Sequence, residues 1–582
     1  MQLARRPRWV RFLYAFRYDC EKSYLMNLCA ASWENRATLG RMESYYSVPT
    51  VRAAEKALLA ATAPEQLMRL AAHAVARAAV QMVSPGAPIL VVAGPGGNGG
   101  DGLYAGAFLL GAGYSVDAVL AANAAHAPAL EAFKLAGGSV REEPDYESVA
   151  SYALIIDAVA GLGAGRAICA AHDYLFRQAK QILSVDVPSG INAETGVAAS
   201  PCVHADATIT FGGPRPAHAL APECGEIVIA DLTPRGAPYS FSEELLHRSW
   251  ELTTRIASGI LAAEQSLPPR FTWNEALENA PTDTAAGHID TEEGTLRLRP
   301  AASFHDIHDP TPGPADDKYS GGVVALCAGS KSYAGAGILC ASGALRATPS
   351  MVRIIGRRDV VHAHPEVVYH EDVASAGRAQ AWVVGPGRGL KCAAEILQVL
   401  MKGQPTVLDA DALTVLADNK AVRKAVRNHP LVVLTPHAGE FERIYSAVFG
   451  SYEPSRGRAV LAQQLAEELS CFVLLKGRKT ILAGYPRMLL TVDAGNSYAA
   501  TPGSGDVLAG IIGAWLAHAN LEHTRPEDRA LAVIDALGEA VAIHAHAAAI
   551  AAATPEGLAP TTASEIARSI PTAIARLTAT RR

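Results

Sequence analysis

The sequence predicts an α/β protein of two units, each built on a parallel, doubly wound sheet. Three observations carry that reading. Apolar strand-like runs alternate with helix-like segments over residues 42–235, and the alternation resumes from Asp317 to the C-terminus; strands that read as continuous apolar runs belong to parallel sheets covered on both faces. Those runs end repeatedly in glycine- or aspartate-bearing loops, at the edge where such sheets bind ligands. At 582 residues the chain is also too long for one hydrophobic core.

Composition narrows the function classes. Hydrophobic residues are 49%, charged residues 19%, and the formal net charge is −6. That balance gives no electrostatic reason to expect nucleic acid or a membrane as partner. No uninterrupted apolar run reaches the ~18–20 residues a bilayer span needs; residues 541–553 are apolar, but the run is short and His544 and His546 interrupt it. The nine cysteines show no C-x-x-C spacing, which argues for free thiols in a reducing cytoplasm rather than a disulfide framework or a structural zinc site.

In chain order, residues 1–41 alternate Arg5, Arg6, Arg8, Arg11 and Arg17 with aromatics, and no apolar h-region or small-residue cleavage site follows. A signal peptide is not expected; the segment reads as a disordered extension or an artefact of start-site choice, because Met42 directly precedes a good helical stretch. That stretch, 51–83, carries apolar residues at three- and four-residue spacing. Strands are predicted at 88–93, 115–120, 153–157, 182–187, 207–211 and 226–230, with helices at 102–110 and 127–135. Residues 236–295 break the pattern with frequent Pro, Thr, Asp and His and read as a linker or insertion. The second unit is expected over 296–582, with strands at 323–327, 381–384, 406–408, 432–434 and 473–475 and helices at 335–346, 411–417 and 507–519.

The first unit sets Gly94-Pro95-Gly96-Gly97-Asn98-Gly99-Gly100-Asp101-Gly102 between a strand and a helix. A loop so placed turns backbone N–H groups and a helix N-terminus toward whatever lies above the sheet, which suits phosphates. The run matches G-x-G-x-x-G, but Asp117 sits inside its strand, not at the end where a dinucleotide dehydrogenase needs its acid. Two more strands end in acids: Asp157 before Ala158-Val159-Ala160-Gly161-Leu162-Gly163, and Asp186 before Val187-Pro188-Ser189-Gly190. Either aspartate alone reads as a loop or helix cap; together with the glycine loop they make a site. Asn98, Asp157 and Ser189 offer hard oxygens that suit an alkali or alkaline-earth cation.

These three motifs together resemble the NAD(P)H-hydrate epimerase family over about residues 42–235. The resemblance implies a Rossmann-like sheet and a substrate, NADHX or NADPHX, whose nicotinamide ring is damaged by hydration and whose R and S hydrates are interconverted. It implies that the hydrate is held by Gly97, Asn98, Gly99, Gly100 and Asp101 and by Gly161, Leu162, Gly163, Ala164, Gly165, Arg166 and Ala167. Asp186 would contact the hydrate, Asn98, Asp157 and Ser189 would bind K+, and Asp157 and Asp186 would do the acid–base work. Gly97 stands where the family usually has Asn, which predicts altered affinity with activity kept.

In the second unit Gly503-Ser504-Gly505-Asp506 opens a long apolar helix. Glycines at a helix N-terminus stabilise charge on a transferring phosphoryl group. Asp506 is placed to take a proton from a substrate hydroxyl, a role typically worth ~10²–10⁴-fold. Alone, the motif also reads as a plain glycine-rich helix start. Other strand ends weigh against that. Leu475 leads into Lys476-Gly477-Arg478-Lys479-Thr480, a basic loop able to grip a nucleotide. Thr435-Pro436-His437-Ala438-Gly439-Glu440 ends a strand with an acid able to organise water around Mg2+, although His437 by itself reads as a satisfied structural histidine. Gly385-Pro386-Gly387-Arg388-Gly389 and Asp409-Ala410-Asp411 end two more strands.

This set resembles the ribokinase-like fold, and more closely its ADP- or ATP-dependent NAD(P)H-hydrate dehydratase branch, over about residues 300–582. Asp317-Lys318-Tyr319 before Gly321-Gly322, and Gly329-Ser330 followed by Tyr333-Ala334-Gly335-Ala336, complete six motifs in the family order. The resemblance implies that Ala336, Gly387, His437 and Asp506 contact the hydrate, and that Lys476, Gly477, Arg478, Lys479, Thr480 and Gly505 hold the adenine nucleotide. Gly321 stands where Arg is common, and Ala438 replaces a usual Pro.

Both units thus point to one damaged cofactor. The expectation is a cytoplasmic, homo-oligomeric, bifunctional repair enzyme. Asp157 and Asp186 would serve epimerisation with K+. Asp506 would serve dehydration with Mg2+, through phosphoryl transfer to the ring hydroxyl and then elimination. The fused layout resembles bacterial members, which implies ADP as the donor. The alternative is a ribokinase-like vitamin or sugar kinase with an N-terminal regulatory binding module, or a non-catalytic N-terminal scaffold; a kinase would accumulate a stable phosphorylated product.

Overall fold

The computed structural model describes residues 43–122, 124–141, 149–163, 165–249, 256–260, 289–300, 307–485, 488–526 and 528–578. The expected extension 1–41, Ala164 and much of the expected linker lie outside the described residues.

After the short strand β1 (Glu43–Tyr45) come two helices, α1 (Val48–Ala61) and α2 (Gln66–Met82), where periodicity alone predicts one over 51–83. Pro64 breaks the run because it has no N–H to donate to a helix interior, and Glu65 turns the chain with φ 65. The first sheet follows as β2 (Pro88–Ala93), α3 (Gly97–Gly111), β3 (Ser115–Leu120), α4 (Ala127–Leu135), β4 (Ser139–Arg141), β5 (Leu154–Ala158), α5 (Ala170–Gln178), β6 (Ile182–Val185), β7 (Ala207–Phe211), α6 (Pro216–Leu220) and β8 (Glu226–Pro234). In space the parallel strands run β8-β7-β6-β5-β2-β3-β4. Their order reverses between β5 and β2, so the crevice beyond the carboxyl ends of those two strands is the natural ligand site.

Next come α7 (Phe241–Ser249), β9 (Ile256–Ile260), β10 (Ile289–Asp290) and β11 (Gly294–Pro300). β11 pairs antiparallel with β8 from Gly294↔Pro234 to Pro300↔Val228. The expected boundary at 296 therefore falls inside a strand of the first sheet. The physical reason is edge protection: without β11, β8 would present a free ladder of N–H and C=O groups.

The second half comprises β12 (Val323–Cys327), α8 (Ala334–Ala347), β13 (Met351–Ile355), α9 (Arg358–Ala363), β14 (Val368–His370), β15 (Ala381–Val384), α10 (Ala393–Leu400), β16 (Thr406–Leu408), α11 (Asp411–Asp418), α12 (Lys420–Arg427), β17 (Val432–Leu434), α13 (Ala438–Phe449), α14 (Arg458–Leu469), β18 (Phe472–Leu475), β19 (Lys479–Gly484), β20 (Met488–Asp493), α15 (Ser504–His518), α16 (Arg529–Ala552) and α17 (Ala563–Thr578). Its sheet runs β14-β13-β12-β15-β16-β17-β18 in parallel, then the antiparallel meander β19-β20, then β9 and β1. Here the order reverses between β12 and β15. The helix α16 is long and apolar enough to cross a bilayer, but 83% of its most apolar window is buried inside the molecule, against α15, α17, β19 and β20.

The halves are not beads on a string. Ala219 and Leu220 of α6 belong to a core cluster otherwise built from the second half and Tyr45.

Two candidate active sites

The first site lies at the β5/β2 reversal. The glycine run is not a free loop: Gly97 already begins α3. A side chain at Gly94 would meet the Val159 carbonyl oxygen at 2.0 Å, and one at Gly99 would meet the Gly94 oxygen at 1.8 Å. Only glycine lets the loops after β2 and β5 close on each other. Gly96 supplies no side-chain cap, and the amides of Asn98 and Gly99 meet no acceptor among the described residues. The start of α3 is thus open to an anion.

Asn98 donates from Nδ2 to the Val185 carbonyl at 2.8 Å. That bond turns its amide oxygen toward Gly161. A Cβ built on Gly161 would stand 2.7 Å from Asn98 Oδ1 and 3.1 Å from Asp186 Oδ2, so these three residues, predicted from separate motifs, do converge. Asp186 is held in a left-handed conformation, φ 64, which costs a non-glycine residue of order 1–3 kcal/mol. It persists because its surroundings over-determine it. Its amide donates to the Ile209 carbonyl at 2.7 Å, and its carbonyl oxygen lies 2.7 Å from His218 Nε2. Its Oδ1 accepts from Thr210 Oγ1 at 3.1 Å and pairs with Arg215 Nη2 at 2.9 Å.

Asp101, one turn into α3, is buried, and its carboxyl is pushed well above the usual range, first by burial and then by the charges of Asp186, Glu55 and Glu65. Glu55 of α1 is raised too, by burial and then by Asp186. A buried carboxyl with a raised pKa near other acids is the kind of group that can serve as a general acid.

Asp157, expected to act on the hydrate and to bind K+, is held by the protein on every side. Its side chain is 0% exposed. Oδ1 accepts from Ser189 Oγ at 2.6 Å and from the Val159 amide at 3.3 Å; Oδ2 accepts from the Ser189 amide at 2.8 Å and Ser184 Oγ at 2.9 Å. Burial raises its pKa against the pull of these bonds. It ties the loops after β5 and β6 together. Ser189 Oγ also accepts from the Ala160 amide at 3.1 Å. The segment Gly161, Leu162, Gly163 is latched by Arg52, whose Nη2 donates to the Leu162 carbonyl at 2.9 Å. Arg166 and Ala167 are exposed, Gly165 is half-buried, and Gly100 packs against Met68.

Arg215, Thr210, His218 and Glu55 were not singled out by the motif reading. Phe211-Gly212-Gly213-Pro214-Arg215 is one more strand-end glycine loop, so Arg215 carried a legible signal. Glu55 carried none, because only the packing of α1 over the sheet brings it there.

The second site surrounds the start of α15. Gly503, at φ 84, precedes the helix, and the amides of Gly505 and Asp506 meet no acceptor among the described residues. The Asp506 carboxyl is pushed up to about 7, by burial first and then by Asp409, with Lys476 opposing and Asp411 adding. Lys476 Nζ lies 2.7 Å from Asp409 Oδ1 and 3.3 Å from where a Cβ on Gly505 would stand. Burial alone would lower the Lys476 pKa, but Asp409 reverses the sign and raises it. Thr435 Oγ1 donates to Asp409 Oδ1 at 2.8 Å, and the Gly389 amide donates to Asp411 Oδ2 at 2.7 Å. Buried His544 of α16 braces the helix start: its Nε2 lies 2.9 Å from Ser504 Oγ, and burial pulls its pKa down to about 4.

Ala336 and Gly387 also meet, since a Cβ on Gly387 would stand 2.6 Å from the Ala336 Cβ. His437 is partly committed elsewhere. Its Nδ1 accepts from the Gly439 and Glu440 amides at 3.1 and 3.4 Å while Glu440 Oε2 accepts from its amide at 2.9 Å, a reciprocal cap on α13. Its Nε2 lies 3.6 Å from Glu440 Oε2. Lys479, expected to hold the nucleotide, has partners inside the molecule. It is 2% exposed, lies 3.1 Å from Asp493 Oδ2, and donates to the His218 carbonyl of the first half. Arg458, also missed, supports the loop by donating to the Lys476 carbonyl at 3.1 Å. Thr480 Oγ1 turns back to the Gly477 carbonyl at 2.9 Å, and Arg478 Nε lies 3.6 Å from Asp493 Oδ1. Among the described residues no three His, Cys, Asp or Glu side chains are grouped to hold a metal ion.

Comparison with known proteins bears on both sites. Residues 64–217 match the family model described as YjeF-related protein N-terminus, and residues 324–572 match the one described as NAD(P)H-hydrate dehydratase. The chain is 39% identical to the bifunctional NAD(P)H-hydrate repair enzyme of Corynebacterium glutamicum, over 92% of this chain and 99% of that protein. It is 38% identical to the enzyme of the same description from Mycobacterium tuberculosis, over 82% and 89%. Among solved structures, the ADP/ATP-dependent NAD(P)H-hydrate dehydratase of Bacillus subtilis, co-crystallised with ATP and Mg2+, is 26% identical and covers 46% of this chain and 94% of its own, with a TM-score of 0.37.

Proposed function

The chain belongs to the bifunctional NAD(P)H-hydrate repair enzymes, and from that membership we propose that its first site interconverts the R and S hydrates of NADH and NADPH while its second dehydrates the S hydrate with ADP as phosphoryl donor. The observation that carries the reading is chemical. Each sheet reversal sets a carboxyl of raised pKa, Asp101 or Asp506, beside a helix start with open amides.

The hydrate is a carbinolamine. Its hydroxyl-bearing carbon can invert if the C–O bond breaks and water returns from the other face. Asp101 gives a proton as the hydroxyl leaves and takes one back as water adds. Asp186, paired with Arg215 at 2.9 Å, supplies the negative charge that stabilises the cationic ring between those events. In the second site Asp506 takes the proton of the ring hydroxyl as its oxygen attacks the terminal phosphorus of ADP, and AMP leaves. The Gly505 and Asp506 amides and Lys476 stabilise the transferring charge. Loss of phosphate and of a neighbouring ring proton then restores the reduced nicotinamide.

Mg2+ fits this second site as a nucleotide-borne ion. Asp409, Asp411 and Asp506 crowd negative charge, and Mg2+ is commonly held by one or two carboxylates plus substrate phosphates and water; when bound it neutralises phosphate charge. Potassium fits the first site only in part. Asn98, Asp157 and Ser189 are hard donors, but both Asp157 oxygens already accept from protein donors, so no step runs through a cation. We assign epimerisation to the unit closed by 289–300, and dehydration to 307–578 with the strands 43–45 and 256–260. The seven described cysteines are all free, which suits a cytoplasmic enzyme.

The test is recovery of reduced-nicotinamide absorbance from a mixed R/S hydrate pool with ADP and Mg2+. Rapid, complete recovery is expected. Fast recovery of the S fraction followed by a slow spontaneous tail removes the epimerase. No recovery with ADP or ATP, together with a stable phosphorylated product, favours the kinase reading.

A further inference from the structure

The short helix α6 carries His218, whose ring holds the backbone of Asp186 in its left-handed conformation. The Arg215 amide donates to His218 Nδ1 at 2.8 Å, which leaves Nε2 as the protonated nitrogen, donating to the Asp186 carbonyl at 2.7 Å. Burial, and then Arg215, pull the His218 pKa down to about 3, so the ring is neutral and this tautomer is stable. What holds His218 is therefore one of the things that hold Asp186, beside its contacts with Ile209, Thr210 and Arg215.

A helix of five residues cannot hold itself. The carbonyls of its last turn need partners from outside. The residue four places after His218 is Pro222, which has no N–H to give. The missing donor comes from the other half of the chain, 261 residues away: Lys479 Nζ donates to the His218 carbonyl. A cation at a helix C-terminus is also favoured by the helix dipole. Lys479 is fixed in turn by Asp493 at 3.1 Å, and Ala219 and Leu220 anchor α6 in the second half's core.

We propose that Lys479 of the second half is a positioning residue for the first site, acting through the His218 carbonyl to keep Asp186 in its working conformation. The inference rests on the reading that the first site epimerises the hydrate. It makes the first site incomplete without the second half, a physical reason for the two activities to share one chain.

The test measures R/S interconversion without nucleotide, by chromatographic separation of the two hydrates, in the full-length chain. The variant is Lys479→Met combined with Asp493→Asn, which removes the donor without leaving a lone buried carboxylate. We expect epimerase kcat to fall by about 10- to 100-fold with KM within about twofold of wild type, the signature of a lost working geometry rather than lost binding. Lys479→Arg, which keeps a charged donor, should retain most of the rate. Wild-type kcat in the double variant overturns the proposal, as does a rise in KM at unchanged kcat. Should the double variant not fold, Lys479→Gln, with its weaker donor, carries the same comparison against Lys479→Arg. A wild-type chain that does not interconvert the hydrates sinks the reading of the first site instead.

Discussion

Asp506 has its carboxyl pushed up to about 7, which ties the dehydratase to pH in a defined direction. A base works only when ionised, so the rate should rise with pH through about 7. Asp409→Asn removes the negative charge that helps raise Asp506 and should move the acid limb to lower pH. Lys476→Met removes the opposing charge and should move it higher. Asp506→Asn should lower dehydration of purified S hydrate by ~10²–10⁴-fold. The same substitution should raise the thermal midpoint at pH 8. The folded pKa lies above the ordinary carboxyl value of 3.8, so the stability carried by the protonated carboxyl is present below about 4 and lost as pH rises through about 7. Asparagine never ionises, and the difference between the proteins should vanish below that window. In the first site, Gly161→Ala would put a Cβ 2.7 Å from Asn98 Oδ1. Recovery from the mixed pool should then split into a fast S phase and a slow tail; a single fast phase would show that Gly161 is not part of the crevice.

At the scale of elements, both sites depend on where a helix begins. The glycine runs are helix first turns, α3 at Gly97 and α15 at Ser504, and a helix start is only as precise as its packing. α15 lies against α8 at backbone distance: a Cβ on Gly510 would come within 2.0 Å of the Cys340 carbonyl oxygen, and one on Gly343 within 2.2 Å of the Val507 oxygen. Gly510→Ala must push the helices apart. It should destabilise the second half by about 1–3 kcal/mol in denaturant unfolding and depress dehydration, because Asp506 rides on the displaced helix, while epimerisation is kept. An unchanged unfolding midpoint would mean that the α8–α15 contact is looser than its geometry implies. The single helix read over 51–83 failed at the same scale. Periodicity records which face is apolar, and both α1 and α2 satisfy it; the break at Pro64 and Glu65 lies in turn chemistry.

Across the whole molecule, the sheets borrow strands over long distances. β11 closes the first sheet after the chain has already given β9 to the second, and β1 joins the second sheet before the first begins. A fragment of residues 46–235 leaves the β8 edge unpaired, whereas 46–300 covers it. The shorter fragment should aggregate more than the longer on size-exclusion chromatography, because only the longer keeps the β8 edge paired. Equal behaviour would make β11 dispensable to the first sheet. The Lys479–His218 contact belongs to this scale too, since neither half contains both partners.

The sequence by itself determined that two parallel sheets each present acids and glycines at their carboxyl edges. Each strand–loop–helix unit is local in the chain, so Asp101, Asp186 and Asp506 could be placed at strand or helix ends from pattern alone, and the joint motifs were enough to identify the family later supported by the relatives. Only the tertiary structure decided which partners each acid meets. Asp157 is a strand-end aspartate like Asp186, yet its oxygens are taken by Ser184, Ser189 and Val159. Lys479 sits in a basic loop beside Lys476, yet it turns inward to another half of the chain. Local pattern shows which residue types stand at an edge. Which way each side chain faces depends on partners tens to hundreds of residues away, and those meet only when the core packs.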